Sequence, residues 1–247
     1  MSEVILETSG ITCSFGELKA VDGVSVRVET GSAVAVVGPN GSGKSTLLNA
    51  ISGFVTPDAG TVTVAGKRVD GAAPWRIARQ GVRRTFQHAN LPARMTVLEL
   101  LVASAAPPCE PREAVESARR ILGWLQLPQT EEDCAGELSG GQQKLVALGA
   151  ALMGSPRLLL LDEPMAGVNP ALRAKLAARL RELQAEGMTI LVVEHDMKFV
   201  ARACDSVYVL DRGVVVAHST PRDLAANEAV RRAYLGAAVA DLEPRGA

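Results

Sequence analysis

The stretch GPNGSGKST, Gly38 to Thr46, sets a lysine and two hydroxyl residues behind three glycines. It fits the pattern G-x-x-x-x-G-K-S/T, lying between an apolar run, AVAVV, and a helix-like run, KSTLLNAIS. Gly41 and Gly43 allow the backbone to curl until its N–H groups converge on one point. The helix that follows adds the positive end of its dipole, which draws phosphate. Lys44 is then expected to reach the β- and γ-phosphates of a nucleotide, with the Ser45 hydroxyl on Mg2+. A glycine-rich turn that happens to precede a lysine is the plainer reading, and the strand before and helix after weigh against it.

Further along, LLLLDE runs from Leu158 into two adjacent carboxylates, Asp162 and Glu163. A buried strand ending in an aspartate beside a phosphate loop suits metal binding by Asp162. Strand alternation points Glu163 the other way, toward a γ-phosphate and a water. There it suits a general base, a role worth roughly 10²–10⁴ in rate. A third segment, LSGGQQKLVALGAALMG, has Ser139 at a helix N-cap position before Gly140, Gly141 and Gln142. It reads as a second helix end suited to anions.

In this order and spacing the three segments resemble the ATP-binding subunit of an ATP-binding cassette (ABC) transporter, over nearly the whole chain. The resemblance implies ATP and Mg2+ as ligands. It implies nucleotide contacts from Gly38, Pro39, Asn40, Gly41, Ser42, Gly43, Lys44, Ser45 and Thr46, and from Ser139, Gly140, Gly141 and Gln142. Phe15, in CSFGELKAV, matches the aromatic that stacks on adenine. Gln87, in RTFQ, matches a glutamine that contacts the metal with Ser45 and Asp162. His195, in VVEHD, matches a histidine that contacts the γ-phosphate and joins Glu163 in catalysis. His88 and His218 match nothing and read as surface histidines.

The resemblance further implies two cassettes head to tail, as a homo- or heterodimer, with ATP held between Lys44 of one and Ser139–Gly141 of the other. Transmembrane permease subunits are the implied partners, at the cytoplasmic face of the inner or plasma membrane. A periplasmic or lipid-anchored solute-binding protein acts indirectly. Most family members carry a serine and an aspartate where MAGVNP has Ala166 and Asn169. That variant, with RTFQ, VVEHDMKFV and a final AYLG, resembles the branch importing branched-chain and other hydrophobic amino acids, in its larger ATPase subunit type. A urea or amide importer of the same branch is the nearest rival. A soluble, non-transport ABC ATPase is the reading from another class, and a nucleotide sensor without turnover is a third. Glu163, Gln87 and His195 together oppose the sensor.

Composition sets the frame for the elements that must position these groups. The chain has 247 residues, 47% of them hydrophobic, enough for a sizeable core. Its 26 basic and 27 acidic residues leave a net charge of -1, unlike a nucleic-acid binder. Four cysteines without a CxxC pair point away from disulfides and zinc, toward a reducing cytosol. No signal pattern opens the chain, and LVALGAALMG is too short to span a bilayer.

Short apolar strands alternate with helical patterns, which predicts an α/β fold. The resemblance makes it a P-loop NTPase core, mostly parallel, with an antiparallel β subdomain and an inserted α-helical subdomain. We expect one domain over residues 1–247. Residues 1–87 and 138–240 form the core with its antiparallel layer, 88–137 the helical subdomain and 241–247 a tail. Leu91, Pro92 and Met95, just past Gln87, are candidates for a permease-docking groove or for subdomain core.

Overall fold

The computed structural model describes residues 3–105, 109–168 and 170–226. Two long strands, β1 (Val4–Phe15) and β2 (Leu18–Glu29), open the chain and pair antiparallel. Alternation along β2 buries Val24, Val26 and Val28 and leaves their neighbours outside, as the pleat of a one-faced sheet demands. The sequence reading missed β1. Its register shifts between Thr8 and Ile11, around a left-handed Gly10, so its pattern never alternates for long.

Next come β3 (Ala33–Val37), α1 (Lys44–Ile51), β4 (Ala59–Val64), β5 (Lys67–Arg68), α2 (Pro74–Ala78) and β6 (Val82–Arg84). The helices α3 (Val97–Ala103), α4 (Pro111–Leu125) and α5 (Gly140–Leu152) follow. The chain then alternates β7 (Leu158–Asp162), α6 (Pro170–Ala185), β8 (Thr189–Val193), α7 (Met197–Ala203) and β9 (Ser206–Asp211). It continues through β10 (Val214–Ser219) to α8 (Pro221–Ala226). One sheet is ordered β2-β1-β4-β5 and is antiparallel. The other is ordered β10-β9-β3-β8-β7-β6, parallel except for the β9–β10 hairpin that turns at Arg212–Gly213. This is the mixed α/β arrangement of a P-loop NTPase.

Two cores explain why the central strands read as unbroken apolar runs. Val34, Val36, Leu158, Leu160, Leu191 and Val193 face α1 and the antiparallel sheet. Ala35, Val37, Leu159, Leu161, Ile190 and Val192 face the helices on the opposite side. Each strand is buried on both faces, so alternation sorts its side chains between cores rather than between core and water.

From residue 88 to 137 the described elements are α3, α4 and two short 3-10 turns, with one isolated bridge between Thr96 and Cys134. These helices bury Leu101, Leu122 and Leu125 against Leu145 and Leu148 of α5. Gly149 lets them close up: a Cβ there would stand 3.0 Å from Ile121 and Leu125 side-chain carbons. Leu91 and Met95 are partly buried against this same core, and Pro92 is exposed. The expected tail, and the AYLG segment, lie outside the described residues.

Candidate active site

Parallel strands align their carboxyl ends, and in such sheets ligands gather there. Val36 of β3 pairs with Val193 of β8, and Val193 also pairs with Asp162 of β7. On the far side of β7, Arg84 of β6 pairs with Leu160. Segments carrying Gly38–Thr46, Glu163, His195 and Gln87 therefore leave the sheet along one edge. They line a cavity of about 860 Å³ that Phe15, itself 54% exposed, closes on one side.

The loop between β3 and α1 is shaped by Gly43. It holds φ at 100°, and a Cβ there would lie 2.2 Å from the Ala20 carbonyl oxygen. No side chain of this residue can cap α1, so the first N–H groups of the helix are left for a ligand. The loop is braced from behind, where Gly213 of the β9–β10 hairpin donates to the Ser42 carbonyl at 3.1 Å. Lys44 arches over the loop, and its Nζ donates to the carbonyls of Gly38 at 2.9 Å and Pro39 at 2.8 Å. Burial pushes the Lys44 ammonium below its usual range, while Glu163 and Asp162 pull it back. Pro39, Asn40, Gly41, Ser42, Ser45 and Thr46 also line the cavity.

The two carboxylates diverge, though not by strand alternation. β7 ends at Asp162, and Glu163 takes a left-handed backbone with φ 45°. That turn brings the Glu163 side chain to the cavity wall and leaves Asp162 buried behind it. Glu163 Oε2 accepts from Gln87 Nε2 at 2.8 Å. Its carbonyl accepts from Lys144 Nζ, on α5, at 2.9 Å. Asp162 Oδ2 accepts from Arg84 at 2.8 Å, and Oδ1 is buried with no hydrogen-bond partner.

Sequence reasoning missed three of these supports: Arg84, Lys144 and Glu194. Glu194 is wholly buried and accepts from the backbone N–H groups of Met165, His195 and Asp196. Burial raises the affinity of this carboxyl for its proton, and the three N–H groups oppose that. A charge directly after an apolar strand, as in VVEH, was the available signal. A surface feature was missed as well. Phe54, Trp75 and Phe86 are about half exposed and line a cleft of about 240 Å³, with Phe86 next to Gln87 in the chain.

Ser139 caps α5 as expected. Its Oγ accepts from the Gln142 N–H at 3.4 Å and donates to Gln142 Oε1 at 2.8 Å. Ser139, Gly140, Gly141 and Gln142 do not line the cavity that holds Lys44. Ala166 lies in the turn after β7, and Asn169 is outside the described residues. His88 is exposed, and the exposed His218 stacks on Tyr208 at 3.9 Å.

No cluster of three or more His, Cys, Asp or Glu residues that could hold a metal occurs among the described residues. Magnesium binds through one or two carboxylates together with substrate phosphates and water rather than in a protein cage. Asp162 does not itself line the cavity, but its carboxylate acts on the Lys44 ammonium, and its unpartnered Oδ1 fits such an ion.

Residues 21–166 match the family model described as ABC transporter. The chain is 39% identical to the high-affinity branched-chain amino acid transport ATP-binding protein BraF of Pseudomonas aeruginosa, covering 96% of this chain and 100% of that one. The crystal structure of the ADP conformation of an ATP-binding cassette of an ABC transporter superposes with a TM-score of 0.83. It is 38% identical and covers 93% of this chain and 97% of its own. A dimeric cassette in a post-hydrolysis state, bound to ADP and Pi, has a TM-score of 0.79 at 26% identity, covering 88% and 99%. With the family model matching more than half of the chain, from β2 through the phosphate loop to the turn after β7, and a full-length relative 39% identical, this chain belongs to the ABC transporter family, as an ABC ATPase.

Proposed function

We propose that this ATPase drives import of branched-chain or other hydrophobic amino acids through a membrane permease. The observation that carries the reading is the cavity that gathers Lys44, Glu163, Gln87 and His195 at one sheet edge. Full-length identity to a branched-chain amino acid transport subunit supports the choice of solute.

In this reading Phe15 stacks on adenine, and the Gly38–Thr46 loop with Lys44 holds the phosphates. Ser45, Asp162 and Gln87 hold magnesium, which neutralises phosphate charge when bound. Glu163 takes the proton of the attacking water as its oxygen bonds to the γ-phosphorus and the bond to ADP breaks. Glu163 reaches the cavity wall and hydrogen-bonds Gln87, which supports that role. His195, whose side chain is 60% exposed in the cavity, donates to the γ-phosphate.

Ser139 to Gln142 lie away from this cavity, so their nucleotide contact comes from a second cassette, identical or paired, facing head to tail. No helix among the described residues is long and apolar enough to cross a membrane. The exposed Phe54, Trp75 and Phe86, with Phe86 next to Gln87, supply an apolar face on which a permease seats in this reading. The cassette then works at the cytoplasmic face of the membrane, fed indirectly by a solute-binding protein. We read residues 1–87 and 138–240 as its ATP-binding core and 88–137 as its helical subdomain.

Reconstitution with its permeases and binding protein in liposomes tests the proposal. ATP-dependent uptake of labelled leucine is expected. Uptake of urea without leucine overturns the solute, and ATP hydrolysis indifferent to any permease overturns the transport reading.

A further inference from the structure

Arg84 is a buried cation with no place in the reaction outlined above. Its side chain is 7% exposed and that of Asp162 is 6% exposed, so their 2.8 Å pair is shielded from water. The guanidinium forks. One terminal nitrogen donates to Asp162 Oδ2, and the other donates to Asn49 Oδ1 and Ser52 Oγ, each at 2.7 Å. Asn49 lies in the last turn of α1 and Ser52 is its C-cap, so the cation also meets the negative end of the helix dipole. The same helix offers its other end to the phosphates. The Phe86 and Phe54 rings cover the guanidinium, with centroids at 4.9 and 5.7 Å, and pack edge to face on each other.

This leaves the Asp162 carboxylate divided. Oδ2 is held by Arg84, and Oδ1 is buried without a partner, as is Arg84 Nε, so the pair meets through a single bond rather than a bidentate one. A buried carboxylate oxygen left unpaired is costly, and it is tolerated where a ligand completes it. The carboxylate cannot rotate to exchange its oxygens without breaking the Arg84 bond. That bond is in turn fixed by two anchors on α1.

We propose that Arg84 is a positioning residue that locks Asp162 so that Oδ1 alone is presented to magnesium, in register with the phosphate loop at the far end of α1. This rests on Asp162 being a metal-binding carboxylate. Partners of metal ligands of this kind typically contribute 10–100-fold in metal affinity. A lysine at 84 keeps the charge but lacks the planar fork that spans Asp162, Asn49 and Ser52 together.

The test is the ratio of ATP affinities in excess magnesium and in excess chelator, measured by calorimetric titration without turnover. Wild type, Arg84→Met, Arg84→Lys and Asp162→Asn are compared as full chains, with melting temperatures. We expect Arg84→Met to lower the ratio about 10-fold or more while chelator-state affinity stays within about 3-fold. Arg84→Lys is expected to lower it by a smaller factor, with a melting temperature near wild type. If Asp162→Asn leaves the ratio unchanged, the metal assignment itself falls. If Asp162→Asn lowers it and neither Arg84 variant does, only the positioning role is overturned. Equal losses with and without magnesium make Arg84 a structural residue and overturn the proposal. Should Arg84→Met not fold, a wild-type ratio in Arg84→Lys overturns it alone.

Discussion

Replacing Glu194 with glutamine probes how the two reactive loops are held together. One carboxylate oxygen accepts from the Met165 N–H at 2.8 Å. The other accepts from His195 at 3.0 Å and Asp196 at 3.4 Å. Met165 follows Glu163 closely in the chain, so this single side chain ties the turn after β7 to the turn after β8. Glutamine keeps the shape but offers one oxygen. With that oxygen turned to His195 and Asp196, its amide nitrogen faces the Met165 N–H, donor against donor. Loss of a hydrogen bond to a charged group nets about 1.5–3 kcal/mol, and a stranded buried donor about 1–3 kcal/mol. Relief from burying a charge offsets part of this. A net loss of about 2 kcal/mol lowers the melting temperature of a chain this long by roughly 4–8 °C.

Turnover should fall as well, because Glu163 and His195 lose their common brace. The pH dependence adds a sign. Burial raises the Glu194 pKa above its ordinary 4.5, so the native state binds this proton more tightly than the unfolded chain. The Glu194 contribution to stability is then full below that ordinary value and is lost as pH rises through the folded-state pKa. The wild-type advantage over Glu194→Gln should therefore widen as pH falls toward 4.5. Thermal melts across that range, with ATPase rates on the same preparations, decide it. A variant that melts no lower than wild type and hydrolyses ATP normally refutes the brace.

Three further expectations use single substitutions. Lys44→Ala removes the cation that arches over the phosphate loop and should abolish tight ATP binding in a calorimetric titration, with the fold retained. Glu163→Gln should bind ATP normally and hydrolyse it about 100-fold more slowly or worse, as loss of a general base does; a near-normal rate removes Glu163 from that role. Trp75→Ala touches a half-exposed ring whose charged neighbours are Arg76 and Arg79. It should shift stability by no more than about 0.5 kcal/mol yet suppress stimulation of ATPase activity by the permease, read in reconstituted liposomes.

The parts of the site that were legible in the sequence are those whose chemistry is local. The backbone N–H groups that converge in a phosphate loop come from neighbouring residues of one segment, so the loop is written as one uninterrupted string, Gly38 to Thr46. The same holds for the Ser139 cap, whose partner Gln142 is three residues on. The buried strands could be read because a strand covered on both faces needs an apolar residue at every step, as Leu158 to Leu161 show. β1 failed that test because the register shift past Thr8 disrupts its alternation. Leu91 and Met95 were left between docking surface and core, since spacing alone does not say which neighbour an apolar side chain meets. Both pack, partly buried, against the helical core.

What escaped notice depends on register between distant strands. Arg84 and Asp162 meet only because β6 lies beside β7 with Arg84 opposite Leu160. In the sequence Arg84 is merely the second of two arginines before TFQ, indistinguishable from its neighbour Arg83. The ladder separates them. Arg83 turns to the Ala78 and Val82 carbonyls, while Arg84, pointing to the other face, enters the space between α1 and β7. Strand alternation thus decides which of two identical side chains ties down nearby backbone carbonyls and which becomes the buried partner of a candidate metal-binding carboxylate. That choice is fixed once β6 pairs parallel to β7, and a slip of one residue in that pairing would exchange the two roles.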